Sequence, residues 1–178
     1  FKYYDFFVTS FAEALNNFGI HTNFATLNII LPVGISFYTF HGLSYVIDIY
    51  NDKIKPEKNI VSYSLFVSYF PLLVAGPIER ATHLLPQIKK KRDFDYHKAM
   101  DGIYQICWGL FKKVVIADNC AVFADEIFDH YPTMSSLSLL LGAIYFAFQI
   151  YGDFSGYSDI AIGTARLFGF SLMRNFNY

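Results

Sequence analysis

The chain has 178 residues, of which 54% are hydrophobic, 20% aromatic and only 16% charged. An ordinary soluble domain carries about 25% charged residues, so too few remain here to coat a water-exposed surface. The net charge of -1 gives no global field for nucleic acid, and two cysteines are too few for a disulfide framework.

Phe1 to Phe18 is aromatic and weakly charged, and reads as the end of an earlier span or an interfacial helix. No basic leader or small-residue cleavage site follows, so no signal peptide is expected. The opening at Phe1 and the close on Arg-Asn-Phe-Asn-Tyr178 read as a stretch cut from a longer polypeptide.

Crossing a bilayer takes about 20 apolar residues. Phe24 to Ile47, ending at Asp48, meets this, as do Asn59 to Ile78, ending at Glu79, and Tyr131 to Gly152, best over Leu137 to Ile150. Apolar residues surround the whole helical wheel in each, unlike a soluble amphipathic helix. Pro32, Gly34, Pro71, Gly76 and Pro77 punctuate the first two. They predict either simple kinks or broken helices beside a substrate path. Ile103 to Ala117 is a weaker segment, short and interrupted by Lys112 and Lys113; it reads as a short span, a re-entrant piece or an interfacial helix with snorkelling lysines, a tilted or partly inserted helix being favoured.

Basic residues crowd 79–102, with Lys89–Arg92 the densest run, while 118–133 carries four acids and no Lys or Arg. The positive-inside rule then puts 79–102 in the cytoplasm and both 51–58 and 118–133 outside, provided that Ile103 to Ala117 crosses; otherwise the acidic loop shares the cytoplasmic side. The Lys89–Arg92 run reads as a topology determinant attracted to anionic lipid, or as a dock for an acidic acyl carrier. Cys107 and Cys120 match no metal spacing and are expected to be ordinary buried thiols.

The richest stretch runs from Phe148 to Gly163, where an apolar span continues into Gln149, Asp153, Ser155, Tyr157, Ser158 and Asp159. An Asp in mid-membrane costs about 2.5–3.5 kcal/mol, so it should face a bundle interior or a water-filled path. Asp153 and Tyr157 lie four apart, as do Ser155 and Asp159. Asp153 and Asp159 are about 240° apart on a helical wheel, so they are not a paired-carboxylate site. Gly152 and Gly156 permit close helix approach. The polar groups either cap a helix end and bond its neighbours or line a polar tunnel.

His41 lies inside the first apolar stretch and needs a partner, as a structural hydrogen bond or as a base. The other histidines fall at span ends or in loops. No metal-ligand spacing, nucleophile elbow, P-loop or Rossmann fingerprint is present.

In order, the chain shows Leu31-Pro-Val-Gly-Ile-Ser-Phe-Tyr-Thr-Phe-His41, Tyr45-Val-Ile-Asp-Ile-Tyr50 and Phe70-Pro-Leu-Leu-Val-Ala-Gly-Pro-Ile-Glu-Arg80. Gly109-Leu-Phe-Lys-Lys-Val-Val-Ile-Ala-Asp118, Gln149 to Gly163, Leu167-Phe-Gly-Phe170 and Asn175-Phe-Asn-Tyr178 follow. This series resembles the membrane-bound O-acyltransferase family, in the bacterial branch of alginate O-acetyltransferases and D-alanyl-lipoteichoic-acid transferases. The resemblance implies an all-α, polytopic bundle in the cell's inner membrane, with residues 1–178 one membrane-embedded domain.

It also implies acyl transfer from a cytoplasmic thioester, an acyl-CoA or acyl carrier, to hydroxyls of an extracytoplasmic polysaccharide, first of all one like alginate. An acyl carrier or an extracytoplasmic acetyltransferase would be partner proteins, beside membrane lipid. No bound cofactor or metal is implied. The family's base is an intramembrane histidine in a Trp-His motif beyond the Phe-Asn-Tyr block. Trp108 is followed by Gly109, so no residue here takes that role, His41 included, and these 178 residues alone are expected to be inactive. Gln149, Asp153, Ser155, Tyr157, Asp159, Arg80 and His41 remain candidates for the substrate path. Competing readings are a transporter or channel segment binding an ion at Asp153 and Asp159, and a scaffold recruiting a partner through the basic loop.

Overall fold

The computed structural model describes residues 3–18 and 34–176. Contacts divide the chain into two units, Phe1–Ile35 and Ser36–Tyr178. In the first, α1 (Tyr4–Asn17) buries no side chain. Its aromatic residues Phe6, Phe7 and Phe11 are exposed. Residues 24–33 of the first expected span, with Pro32 and most of the Leu31–His41 block's start, lie outside the described residues, as does His21.

The regular structure of the second unit is all helical, and no strand occurs among the described residues. Gly34 (φ 78°) occupies the left-handed region before α2 (Ile35–Tyr50). The stretch expected to cross from Asn59 to Ile78 does not form one helix. Asn59 caps α3, its side chain accepting from the backbone N–H of Val61 and Ser62, but α3 stops at Val67 (Ile60–Val67). A single 3-10 turn, Phe70–Leu72, follows. Pro71 and Pro77 cannot donate into a helix, and Gly76 takes φ 128°, which reverses the chain. The break weighed for these prolines is the outcome.

The chain returns to the side it came from. Lys89 ion-pairs with Glu57, Arg80 lies 3.7 Å from Asp48, and the Glu57 N–H donates to Tyr45 Oη at 2.7 Å. Segments 51–58 and 79–102 therefore lie together, and the expectation that they face opposite sides fails. The sidedness rule counted a crossing that the prolines prevent.

Segment 79–102 is also not simply a loop. It contains α4 (Ala81–Lys89) and the start of α5 (Tyr96–Leu110), which Asp95 caps by accepting from the His97 and Lys98 N–H groups. The Lys98 bond and its neighbours hold the Asp95 carboxyl below the usual carboxylate range. Beyond Leu110 the helix continues as a π-helical segment, Phe111–Ala117, and then as α6 (Asp118–Asp129). The expected short segment Ile103–Ala117 is thus the middle of a continuous helical run of about 51 Å, and the acidic 118–129 stretch is helix. Cys107 is exposed and Cys120 half-buried. Both were expected inside; among the described residues Cys107 lies on an open flank of the helical run and Cys120 is only partly covered.

After a 3-10 turn at Tyr131–Thr133, Ser135 caps α7 (Ser136–Leu167). The third expected span starts later than Tyr131 and does not stop at Gly152. Among the described residues α7 is the helix long and apolar enough to cross a membrane, yet only 11% of its most apolar window is buried. Its buried positions concentrate in the polar and small-residue half, from Gly152 to Ala165. That is the reverse of a water-soluble core helix, whose apolar half would be covered.

A buried cluster joins Tyr45, Phe66, Leu72, Leu84 and Leu85 to Ile162, Ala165, Phe170 and Leu172. It ties α2, α3 and α4 to the end of α7 and to the extended 170–172 segment. Gln87 clamps that segment like a strand neighbour, accepting from the Ser171 N–H at 2.8 Å and donating to its carbonyl at 2.9 Å.

Candidate functional site

The polar residues of α7 face the α5–π–α6 run, which packs antiparallel against it. Glycine makes this contact possible. A Cβ on Gly109 would lie 2.6 Å from the Gly156 carbonyl oxygen, and one on Gly102 would lie 2.7 Å from that of Gly163. Gly152 packs against Ala117. The expected close approach at Gly152 and Gly156 is present. The matching seven-residue spacings, 102/109 and 156/163, were the unread signal for its partner.

Along this seam runs a ladder of polar pairs. Arg166 of α7 ion-pairs with Asp101. Gln105 Nε2 donates to Asp159 Oδ1 at 3.0 Å. Lys112 Nζ pairs with the other oxygen of Asp159 and donates to Ser155 Oγ at 2.5 Å. Lys113 Nζ lies 2.7 Å from Asp153 and 2.5 Å from Asp118.

Lys112 is only 5% exposed and Asp159 2%. The expectation of snorkelling lysines is therefore overturned at Lys112. A helix-spanning carboxylate is available across the seam, and pairing replaces the water that snorkelling would reach. Both lysines sit in the π-helical segment, a rare geometry that widens the turn and is frequent at functional sites. Asp153 and Asp159 serve different lysines, in keeping with their angular separation.

The remaining candidates fall in three places. Gln149 is half-buried on α7, and its Oε1 has no hydrogen-bond partner among the described residues. Tyr157 lines a small apolar slot of about 220 Å³ together with Phe70, Pro71, Val74 and Ile160. The proline-broken segment thus faces the polar half of α7. Ser158 Oγ, buried beside Asp159, also lacks a partner among the described residues.

His41 and Arg80 lie at the other face, His41 against Phe66 of the buried cluster and Arg80 exposed beside Asp48. His41 is buried with its ring 5.8 Å from that of Phe66, and Nε2 has no hydrogen-bond partner among the described residues. Arg80 pairs with Asp48, which is itself buried. Glu79, fully buried, binds His83 Nδ1 at 2.8 Å and accepts from the Met173 N–H. Lys112, Gln105, Asp48 and Glu79 are site residues that sequence reasoning missed as such; Asp48 and Glu79 read merely as span ends.

At the end of α7 opens a basic cleft of about 930 Å³ between the 87–95 segment and Arg166–Gly169. Six cations line it against two carboxylates. Among the described residues no cluster of three metal-ligating side chains occurs.

No family model matches the chain. Over 178 residues it is 42% identical to a protein of Pseudomonas aeruginosa named "Probable alginate O-acetylase AlgI", covering 99% of this chain and 34% of that one. It is 38% identical over 203 aligned residues to a peptidoglycan O-acetyltransferase of Helicobacter pylori, covering 99% and 38%. Over these residues the chain is similar to proteins named O-acetylase and O-acetyltransferase. A teichoic acid D-alanyltransferase of Bacillus subtilis matches more distantly, 23% identical over 155 residues, 84% of this chain and 38% of that one. The chain spans about a third of the length of the curated relatives it matches. The seam between α5 and α7 holds buried charge at Lys112 and Asp159, as the opposite face does at Asp48 and Glu79.

Proposed function

We propose that these residues form part of a multi-pass inner-membrane O-acyltransferase. It moves an acetyl or acyl group from a cytoplasmic thioester, acyl-CoA or an acyl carrier, to hydroxyls of an extracytoplasmic polysaccharide of the alginate type. The observation that carries the reading is about 40% identity to proteins named O-acetylases along almost the entire chain. Two physical features support it. The exposed apolar half of α7 suits lipid as solvent. The buried ladder at Lys112, Ser155 and Asp159 is a polar seam that lipid would make costly without a functional or assembly role.

In this reading the 51–58, 79–102 and 166–174 segments share the cytoplasmic side, where lysine and arginine collect, and α6 with its acids lies at the opposite end. Segment 59–78 enters and returns, and with Tyr157 it walls the acyl path. Gln149, Ser155 and Asp153 line or support that path; Lys112 and Asp159 hold α5 and α7 in register. The acyl carrier and an extracytoplasmic acetyltransferase are the protein partners. The residue acting as base on the acceptor hydroxyl lies outside these 178.

The test uses the full-length protein in membranes of a strain lacking its own O-acetylase, supplied with labelled acetyl-CoA and polymer. Hydroxylamine-labile label on the polymer is the expected result. A well-expressed protein that yields no ester on alginate or other exopolysaccharide overturns the proposal.

A further inference from the structure

The basic cleft has a shape and setting that the acyl path does not use. Lys89 is occupied by Glu57, Arg166 by Asp101, and Lys98 lies 3.6 Å from Asp95. Arg92 stacks over the Phe170 ring at 3.8 Å and donates to the Gln87 carbonyl. Lys90 and Lys91 differ, for their side chains make no ion pair or hydrogen bond among the described residues, and both are exposed at the cleft. Two consecutive lysines without such partners among the described residues, on a cleft that four further cations line, form a site for an anion that brings its own negative charge.

Position selects the anion. A helix of 32 residues is about 48 Å long, against about 40–45 Å for a bilayer with its headgroup layers. If α7 starts at one interface, Arg166 and the cleft beside it fall at headgroup depth on the other. Phe94 and Phe168, both exposed, line the same cleft. Aromatic side chains beside lysines are the chemistry of a membrane–water boundary, one end apolar and the other wet. A soluble donor needs no such apolar rim.

We propose that this cleft binds the phosphodiester headgroup of an acidic phospholipid, with Lys90 and Lys91 on the phosphate and Phe94 and Phe168 against the upper acyl chains. The proposal rests on the membrane reading above but not on acetyl transfer.

The test is native mass spectrometry of the full-length protein released from vesicles of phosphatidylethanolamine with phosphatidylglycerol and cardiolipin. Wild type retains acidic lipid. Each cation near an anionic surface is worth roughly fivefold in binding, so Lys90→Gln/Lys91→Gln retains roughly 25-fold less. Lys90→Arg/Lys91→Arg, which keeps the charge, restores retention and guards against a folding defect. Equal retention by wild type and the glutamine variant overturns the proposal. So does displacement of the lipid by acetyl-CoA, which assigns the cleft to the donor instead. A carbonate wash of the membranes separates the two readings. Protein that stays in the pellet yet holds no acidic lipid sinks only this site, whereas protein washed free sinks the membrane reading as well.

Discussion

Replacing Lys112 with methionine tests whether the α5–α7 seam is held by its buried ion pair. The side chain is 5% exposed and its partner Asp159 2%, so solvent cannot take over when the cation is lost. Breaking one partner of a buried pair costs about 3–5 kcal/mol, because the surviving charge stays desolvated. That corresponds to roughly 150- to 5000-fold in the unfolding equilibrium. Gln105 still donates to Asp159, which places the expectation toward the lower end.

Lys112→Met/Asp159→Leu removes both charges and should return most of the loss, since an apolar replacement of a whole pair is often close to neutral. Only the hydrogen bonds from Gln105 and to Ser155 stay unmade, about 1 kcal/mol each. The assay is unfolding of the full-length protein by SDS titration in mixed micelles, followed by circular dichroism. A single variant within about 1 kcal/mol of wild type, or a double variant as damaged as the two singles added together, refutes the reasoning.

Gly109→Ala should destabilise by about 1–3 kcal/mol in the same titration, because its Cβ would meet the Gly156 backbone. Gly42→Ala, with open space around the added methyl, should be neutral or stabilising by about 0.5–1 kcal/mol; similar behaviour of the two would remove the close-approach argument. Glu57 is held below the usual carboxylate range first by its bond to Lys89 and then by the Asn59 N–H. The unfolded chain therefore binds this proton more readily, so the stabilisation is complete above the ordinary carboxylate pKa and is lost as pH falls through the lower folded value. Thermal midpoints of wild type should drop on acidification below about pH 4.5 more steeply than those of Glu57→Gln; parallel curves would dismiss the link. Lys53→Cys and Lys90→Cys, in a background without Cys107 and Cys120, should react with an impermeant maleimide from the same side of a sealed vesicle, and Glu126→Cys from the other. Reaction of 53 and 90 from opposite sides would restore a crossing by 59–78.

That last contrast shows where sequence reasoning stops. Hydropathy found the apolar length in Asn59–Ile78 and in α7 alike, because both are apolar all round the helical wheel. Only α7 became a membrane-length helix. Pro71, Gly76 and Pro77 were legible as breaks, but whether a broken segment crosses or returns is decided by long-range partners. Lys89 finding Glu57 and Arg80 finding Asp48 are separated by about thirty residues of chain, and no local periodicity encodes them. The α7 polar stretch was more readable: Gly152, Gly156 and the angular separation of Asp153 from Asp159 are properties of one helix.

The lysines show the same division at finer scale. A lysine in an apolar helix has two ways to avoid lipid, to reach the headgroups or to meet an acid, and its own helix does not choose between them. Lys112 chooses the acid because Gly109 and Gly156 bring two backbones into contact, so that Asp159 and Ser155 come within reach of Nζ. Lys113, one residue on, turns outward enough to take Asp118 of its own helical run as well as Asp153. The seam's chemistry therefore depends on its glycines: the ion pair can form only where the helices touch, and widening the contact at position 109 should expose Lys112 without altering a single charge.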